Sequence, residues 1–335
     1  LTAHSVSTRK ISMASRRGRL LTKAIPRSAL APAIVAAAAC IGADAGAQTS
    51  ERLQVQQFRP MPGQQFNYLH VPRAATAPAG SWELGLTFNY ARNPLVIQTI
   101  DANDRSERTG VLIRSHDVFD LLGFFAVSDW FDVGVAIPLY VYDAPGTSDG
   151  AFDRFAIGER SRGGLGDVRI VPRLRLLKFG GAESGPNMVL GVSADVMLPT
   201  ASHPDRYQGE SFRAEPRVAW DWTPKPWATW TLYSGLMLRA DRGVVDNITA
   251  GPSMSFGTGA ILNVDAHEKW YLVPEVVGLV AFAKGADVDL EEIPLEFRGA
   301  ARYFPIDRLM VEAGVGAGII EGFGTPDWRL LAGVT

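Results

Sequence analysis

The sequence predicts an all-β fold, an antiparallel transmembrane β-barrel of about twelve strands following a cleaved signal peptide. Three observations predict it. Apolar and polar residues alternate with a period of two from Trp82 onward, which puts successive side chains on opposite faces of a strand. The expected strands mostly run to about 10–15 residues, whereas soluble strands average about 5–6 and bilayer-spanning ones need about 9–11. The connections between them alternate between short and long, as in outer-membrane barrels.

The first 47 residues read as an address. The chain opens on Leu1, and Met13 is the better start. Arg16, Arg17, Arg19, Lys23 and Arg27 form a basic region, Ser28–Ala43 is uncharged and largely apolar, and Ala45-Gly46-Ala47 offers a small-residue cleavage site. Lipidation at Cys40 is the rival reading, weakened by the absence of Leu three residues earlier. Removing residues 1–47 takes seven basic and one acidic residue from totals of 33 and 35, leaving a net charge of −8 and no cysteine. Residues 48–80 are polar and Pro-broken, and are expected to form a periplasmic lead-in.

The barrel is expected over residues 81–335. Trp82, Leu84, Leu86, Phe88 and Tyr90 share one face of its first strand, and the same alternation recurs at about 109–127, 131–142, 165–179, 188–199, 213–223, 227–239, 249–264, 270–283, 293–304, 309–319 and 328–335. Short connections (128–130, 180–187, 224–226, 265–269, 305–308) alternate with longer ones, including 92–108 and 143–164. The short turns are assigned to the periplasm and the long loops to the outside. Seven of the eight tryptophans fall near the short-turn ends, which suits an interfacial girdle. Lipid can cover the apolar strand faces, and closure pairs the backbone groups that hydrocarbon would leave unsatisfied. Inward glycines, among them Gly134 and Gly191, leave room for neighbouring side chains. Pro138, Pro172, Pro216, Pro252 and Pro274 each remove a ladder donor and work against a regular register.

Composition excludes several classes. A net charge of −2 does not suit a nucleic-acid binder. One cysteine rules out an intrachain disulfide or a Cys-rich metal site. No uncharged apolar run reaches 18 residues, so a membrane-crossing helix is not expected. No cofactor is expected.

Two segments carry resemblances. FNYLHVPRAATAPAGSWELGLTFNYARNPLV looks like the first hairpin of barrels found ahead of OmpA-type domains. RGGLGDVRIVPRLRLL followed by MLPTASHPDRYQGE resembles the outer-membrane family named for the phenol-degradation meta pathway. The resemblance covers about Phe66–Thr335. It implies an outer-membrane barrel, a porin or transporter, without catalytic residues. The peptidoglycan-binding domain of OmpA-type proteins is missing after Thr335, and the last strand lacks a terminal aromatic, so a truncated C-terminus is expected.

The candidate lumen residues are Arg114, Asp167, Arg169, Arg173, Arg175, Glu215, Arg217, Asp221, Glu275, Glu296, Arg298, Arg302 and Glu312. They read either as a charged pore lining, with Arg169, Arg173 and Arg175 as a cationic ladder, or as an ion-pair network that blocks the lumen. No His has a Ser two residues later, so the same-face pair of a barrel hydrolase is missing and no enzyme is expected. Asp287, Asp289 and Glu291 could meet a divalent cation but read better as a solvated loop, and no metal site is assigned. The leading expectation is a passive channel or porin-like transporter for small solutes. Its partners would be outer-membrane lipid, lipopolysaccharide and those solutes. The alternatives are an envelope-anchoring barrel that reaches peptidoglycan only through an absent domain, and a secreted soluble β protein.

Overall fold

The computed structural model describes residues 49–50, 54–100, 106–145, 163–180, 186–203, 208–239, 242–245, 248–250, 252–281, 293–320, 322 and 324–335. Twelve long strands form a closed antiparallel barrel. They are β1 (Trp82–Ile100), β2 (Ser106–Ser128), β3 (Phe131–Pro145), β4 (Arg169–Gly180), β5 (Asn187–Met197) and β6 (Arg213–Lys225), then β7 (Ala228–Arg239), β8 (Ser253–Asn263), β9 (Trp270–Ala281), β10 (Leu295–Ile306), β11 (Leu309–Ile320) and β12 (Trp328–Val334). Each strand pairs with its sequence neighbours, and β12 closes the barrel on β1 from Trp328↔Arg92 to Val334↔Leu86. A two-residue strand at Gly164–Leu165 pairs with Tyr140 and Leu139 of β3. Short pieces at Thr49–Ser50, Arg242–Val245 and Ile248–Ala250 form a separate small sheet.

Alternation sorts the wall into two faces. On β3, Asp132, Gly134, Ala136 and Tyr140 are buried, while Val135 and Val141 are exposed. On β6, Arg213, Glu215, Arg217 and Asp221 are buried, whereas Val218 (52% exposed), Trp220 and Trp222 face out. The outer face is thus apolar and the inner face charged, the reverse of a protein folded around an oily core in water. All eight tryptophans are exposed, Trp82 most of all at 70%. Seven lie toward the end where β2–β3, β6–β7 and β8–β9 join through short turns, here called the turn end. The opposite end, where β1–β2, β3–β4 and the other long connections lie, is the loop end.

The prolines leave the register intact. At Pro172, Pro216 and Pro274 the ladder on one flank skips two residue pairs and resumes in the same phase: Ile170↔Val196 to Arg173↔Ser193, Ala214↔Leu238 to Arg217↔Gly235, and Gly259↔Glu275 to Leu262↔Leu272. A missing donor costs a local bond, and the flanking pairs hold the strands in step.

The segment expected to be a polar lead-in is placed differently. Residues 54–79 run through the barrel interior. Gln54 and Gln56 meet the hydroxyl of Tyr140 toward the loop end. Gly63, with φ of 71°, reverses the chain beneath Phe124, whose ring leaves no room for a Cβ. The chain rises again to His70 beside Tyr233 and leaves at the turn end, where the carboxylate of Asp129 accepts the backbone N–H of Ala79 and Gly80 donates to Ala126. Phe58, Tyr68, Leu69, Val71 and Ala74 of this plug pack with inward Val189, Ala219, Val273, Val277, Ala300 and Leu331 as one buried cluster.

Candidate functional site: the plugged lumen

The plug has no regular secondary structure, so its buried backbone groups need partners from elsewhere. The wall supplies them. Glu83 of β1 accepts the N–H groups of Gln64 and Gln65 at 2.7 and 3.0 Å. Asp221 of β6 accepts those of Ala74 and Ala75 at 2.9 and 3.0 Å. Glu275 of β9 accepts those of His70 and Val71 at 3.0 and 3.2 Å, and Asp132 of β3 accepts that of Ala77 at 3.2 Å. In the other direction, Arg302 donates to the carbonyls of Gln64 and Asn67 at 2.9 and 2.6 Å, and Arg169 donates to that of Pro60 at 2.5 Å. Wall carboxylates take plug N–H groups and wall guanidinium groups take plug carbonyls, the part a neighbouring strand would play in a sheet.

Most of the remaining buried charges pair with one another; among the described residues, Asp120 of β2 is buried without an ion pair. Asp195 and Glu215 are shared among Arg59, Arg169 and Arg217: Arg59 reaches Asp195 at 3.3 Å and Glu215 at 2.6 Å, Arg169 reaches Asp195 at 2.9 Å, and Arg217 lies 3.1 Å from Asp195 and 2.8 Å from Glu215. Glu296 receives Arg298 and Arg329, both at 2.8 Å, and Arg298 also reaches Glu275 at 3.2 Å. Arg173 binds Asp132 at 2.7 Å, and Arg302 binds Glu312. Arg213 joins Asp167 at 3.1 Å and Glu210 at 2.9 Å. Charges removed from water are tolerable when paired and hydrogen-bonded in this way. The guanidinium groups of Arg298 and Arg329 also lie over the Phe58 ring, at 4.8 and 5.1 Å from its centroid.

Eleven of the thirteen candidate lumen residues are buried inside: Asp167, Arg169, Arg173, Glu215, Arg217, Asp221, Glu275, Glu296, Arg298, Arg302 and Glu312. The other two depart for a local reason. Arg114 is the extra residue of an irregularity in β2, where Ile113 pairs with Pro145 and Ser115 with Ala144, and it is exposed. Arg175 precedes a register shift on β4 and is half-buried. The expected arginine ladder is therefore dispersed, with Arg169 held by Asp195 and Arg173 by Asp132. Three buried arginines lie outside those thirteen candidates: Arg213, Arg329 and Arg59. Arg329 lies on the short last strand, where Asn89 accepts its Nη1 donor at 2.6 Å. Arg59 belongs to the plug. The carboxylate-rich loop around Asp287, Asp289 and Glu291 lies outside the described residues, as do residues 1–48. Among the described residues no cluster of metal-ligating side chains occurs.

A closed barrel with an apolar outside, a charged inside and a threaded segment defines a membrane-spanning β-barrel. No family model and no curated protein matches the chain. Among solved structures it is similar to the COG4313 outer membrane channel from Pseudomonas putida F1, with a TM-score of 0.56 and 14% identity over 78% of this chain and 96% of that one. At that identity the likeness establishes the fold. The NanC porin (TM-score 0.46, 7% identity, 76% of this chain and 98% of that one) and the CymD monoaromatic hydrocarbon channel (0.40, 9%, 84% and 97%) superpose more loosely. The OmpA-type likeness finds no support in these comparisons.

Proposed function

We propose that the protein is an outer-membrane β-barrel acting as a passive channel for small solutes, with the segment at residues 54–79 as an internal plug that sets the bore. The observation that carries the proposal is the contrast between the wall's two faces. The outer face is suited to lipid, and the inner face carries many charged and polar side chains that a barrel filled only by apolar packing would not need. Solutes pass between plug and wall, where the eleven buried candidate residues border their path. Lipid and lipopolysaccharide surround the barrel, and residues 1–47 act as the export signal. Short turns then face the periplasm and long loops the exterior. The outer-membrane family named for the phenol-degradation meta pathway remains the family reading that fits best. No catalytic role is assigned.

A second reading, a silent envelope barrel, is favoured by the plug's extensive bonding to the wall. Conductance separates the two. The chain without residues 1–47, refolded and inserted into planar bilayers, is expected to give small discrete current steps. A folded barrel that stays silent even when the plug is loosened would overturn the channel reading.

A further inference from the structure

The plug consists of two limbs held in different ways. Among the described residues, every plug N–H that a carboxylate of the barrel accepts lies in residues 64–79, on Glu83, Glu275, Asp221, Asp132 and Asp129. The limb from Gln54 to Met61 has none of these bonds. Its Arg59 and Met61 N–H groups donate within the plug, to Nδ1 of His70 at 3.2 Å and to the carbonyl of Leu69 at 2.9 Å. Among the described residues nothing accepts the N–H groups of Val55, Gln56 and Phe58, although all three residues are buried. Buried N–H groups are almost always paired, so hydration is what this limb gains by leaving.

Few groups hold it to the wall. Arg169 donates to the carbonyl of Pro60, Gln54 and Gln56 meet Tyr140, and Arg213 reaches Gln54. Phe58 packs in the apolar cluster beneath Arg298 and Arg329. The ionic anchor is Arg59, on Asp195 and Glu215. Neither carboxylate depends on it: Asp195 keeps Arg169 at 2.9 Å and Arg217 at 3.1 Å, and Glu215 keeps Arg217 at 2.8 Å. A cavity of about 40 Å³ beside Gln57, Arg59 and His70 loosens the packing along this limb. Below it, Asn67 Nδ2 donates to the carbonyls of Pro62 and Gly63 at 2.7 and 3.1 Å, which ties the bend to the other limb. Upstream of it, Thr49–Ser50 pairs with Arg242–Gly243 in the connection between β7 and β8, at the loop end. We propose that residues 54–61 are a gate: this limb swings toward the loop end about Pro62–Gly63 while residues 64–79 stay fixed to the wall, and the space it vacates widens the path through the lumen. The closed form predominates, because opening gives up the packing of Phe58 and the ion pairs of Arg59. The gate rests on the channel reading for its use, but the motion of the limb is measured without current.

The test is amide hydrogen exchange, followed residue by residue by NMR on the folded barrel in detergent. Local opening lowers protection only where acceptors are lost. Arg59 and Met61 lose theirs when the limb leaves, whereas His70, Val71 and Ala74 keep theirs on Glu275 and Asp221. Protection of Arg59 and Met61 is therefore expected to be lower by about tenfold or more. Arg59→Gln should lower it at Met61 a further several-fold and leave His70, Val71 and Ala74 unchanged. Heat-dependent gel mobility confirms that the variant is folded, and the wild-type comparison stands without it. Equal protection of both limbs in the wild type would overturn the proposal. So would a folded Arg59→Gln in which both limbs lose protection alike, the mark of a general loss of stability. In planar bilayers Arg59→Gln should spend several-fold more time at a higher current level. Unequal exchange without current keeps the moving limb and removes the channel, and current with equal exchange removes the gate alone.

Discussion

Asp195 shows how tightly the charges in this lumen depend on one another. It is fully buried and lies within ion-pair distance of Arg59, Arg169 and Arg217. Asp195→Ala would leave Arg59 and Arg217 on Glu215 alone and take from Arg169 its ion pair, and breaking a buried pair costs about 3–5 kcal/mol. The expected outcome is a lower urea midpoint for the folded barrel in detergent, with little change in the dependence on urea concentration. Asp327, at the loop end, behaves differently. Partial burial works to raise its pKa, but hydrogen bonds from Arg108 (2.6 and 3.2 Å) and Asn93 (2.7 Å) outweigh it and hold the carboxyl below its ordinary value. Because the folded value is depressed, the stability this contact contributes is present above the ordinary Asp range and is lost as pH falls through the folded value. The pair is about one-third exposed, so it contributes only about 0.2–1 kcal/mol. A carboxyl NMR titration of the folded barrel should place Asp327 below ordinary aspartates, and Arg108→Gln should move it up.

Strands and plug differed in how far the sequence revealed them. The strands were legible because period-two alternation is local: Val133, Val135 and Val141 against Asp132 and Gly134 need no knowledge of the rest of the chain. The plug was not legible, because nothing in residues 54–79 repeats and the partners of its backbone sit on distant strands. The signal that could have found it lay in apolar Phe58, Met61, Tyr68, Leu69 and Val71 within a supposedly solvated segment, and in glycines on the inner wall. At Gly191 an added Cβ would come within 2.5 Å of the Ala74 carbonyl oxygen, and at Gly134 within 2.4 Å of Pro62 Cβ. Those glycines make room for the plug, where the sequence suggested room for neighbouring side chains. Gly191→Leu should therefore push the Ala74 region off the wall. The measurement is single-channel conductance, expected to rise severalfold above wild type; an unchanged current from a folded variant would count against the plug as the element that sets the bore. Arg114 and Arg175 were misjudged at the same scale, since a one-residue irregularity in a strand reverses or blurs its facing and leaves no mark in the alternation itself.

For the whole molecule, the charged lumen and the apolar belt make opposite demands on their surroundings, and a bilayer meets both. Val218 lies in the middle of β6 on the outer face, between the ladders to β5 and β7. Val218→Arg should cost about 2–4 kcal/mol if that position sits at the bilayer midplane, a penalty that falls to about 0–1 near the interfaces. Unfolding in lipid vesicles, compared for Val218→Arg and for Arg at Val127 near the turn end, checks this depth dependence. Equal penalties at both positions would contradict the placement of the belt. The ordering of solubility follows as well: the folded barrel should need detergent or lipid to remain dispersed, because its exposed surface includes Leu84, Phe125, Leu232, Val315 and Ile319.

The threaded plug also fixes an order of assembly. Its partners are spread around the circumference, on Glu83 of β1, Asp132 of β3, Asp221 of β6, Glu275 of β9 and Arg302 of β10. A finished cylinder would have to be re-entered from one mouth to reach them all. The seam between β12 and β1 joins the last strand to the first across seven residue pairs, and such distant pairing is the slow kind. A curved, still open sheet that wraps around the plug and then zips along that seam satisfies both demands, so the plug serves the newborn barrel as the mandrel around which it is wound.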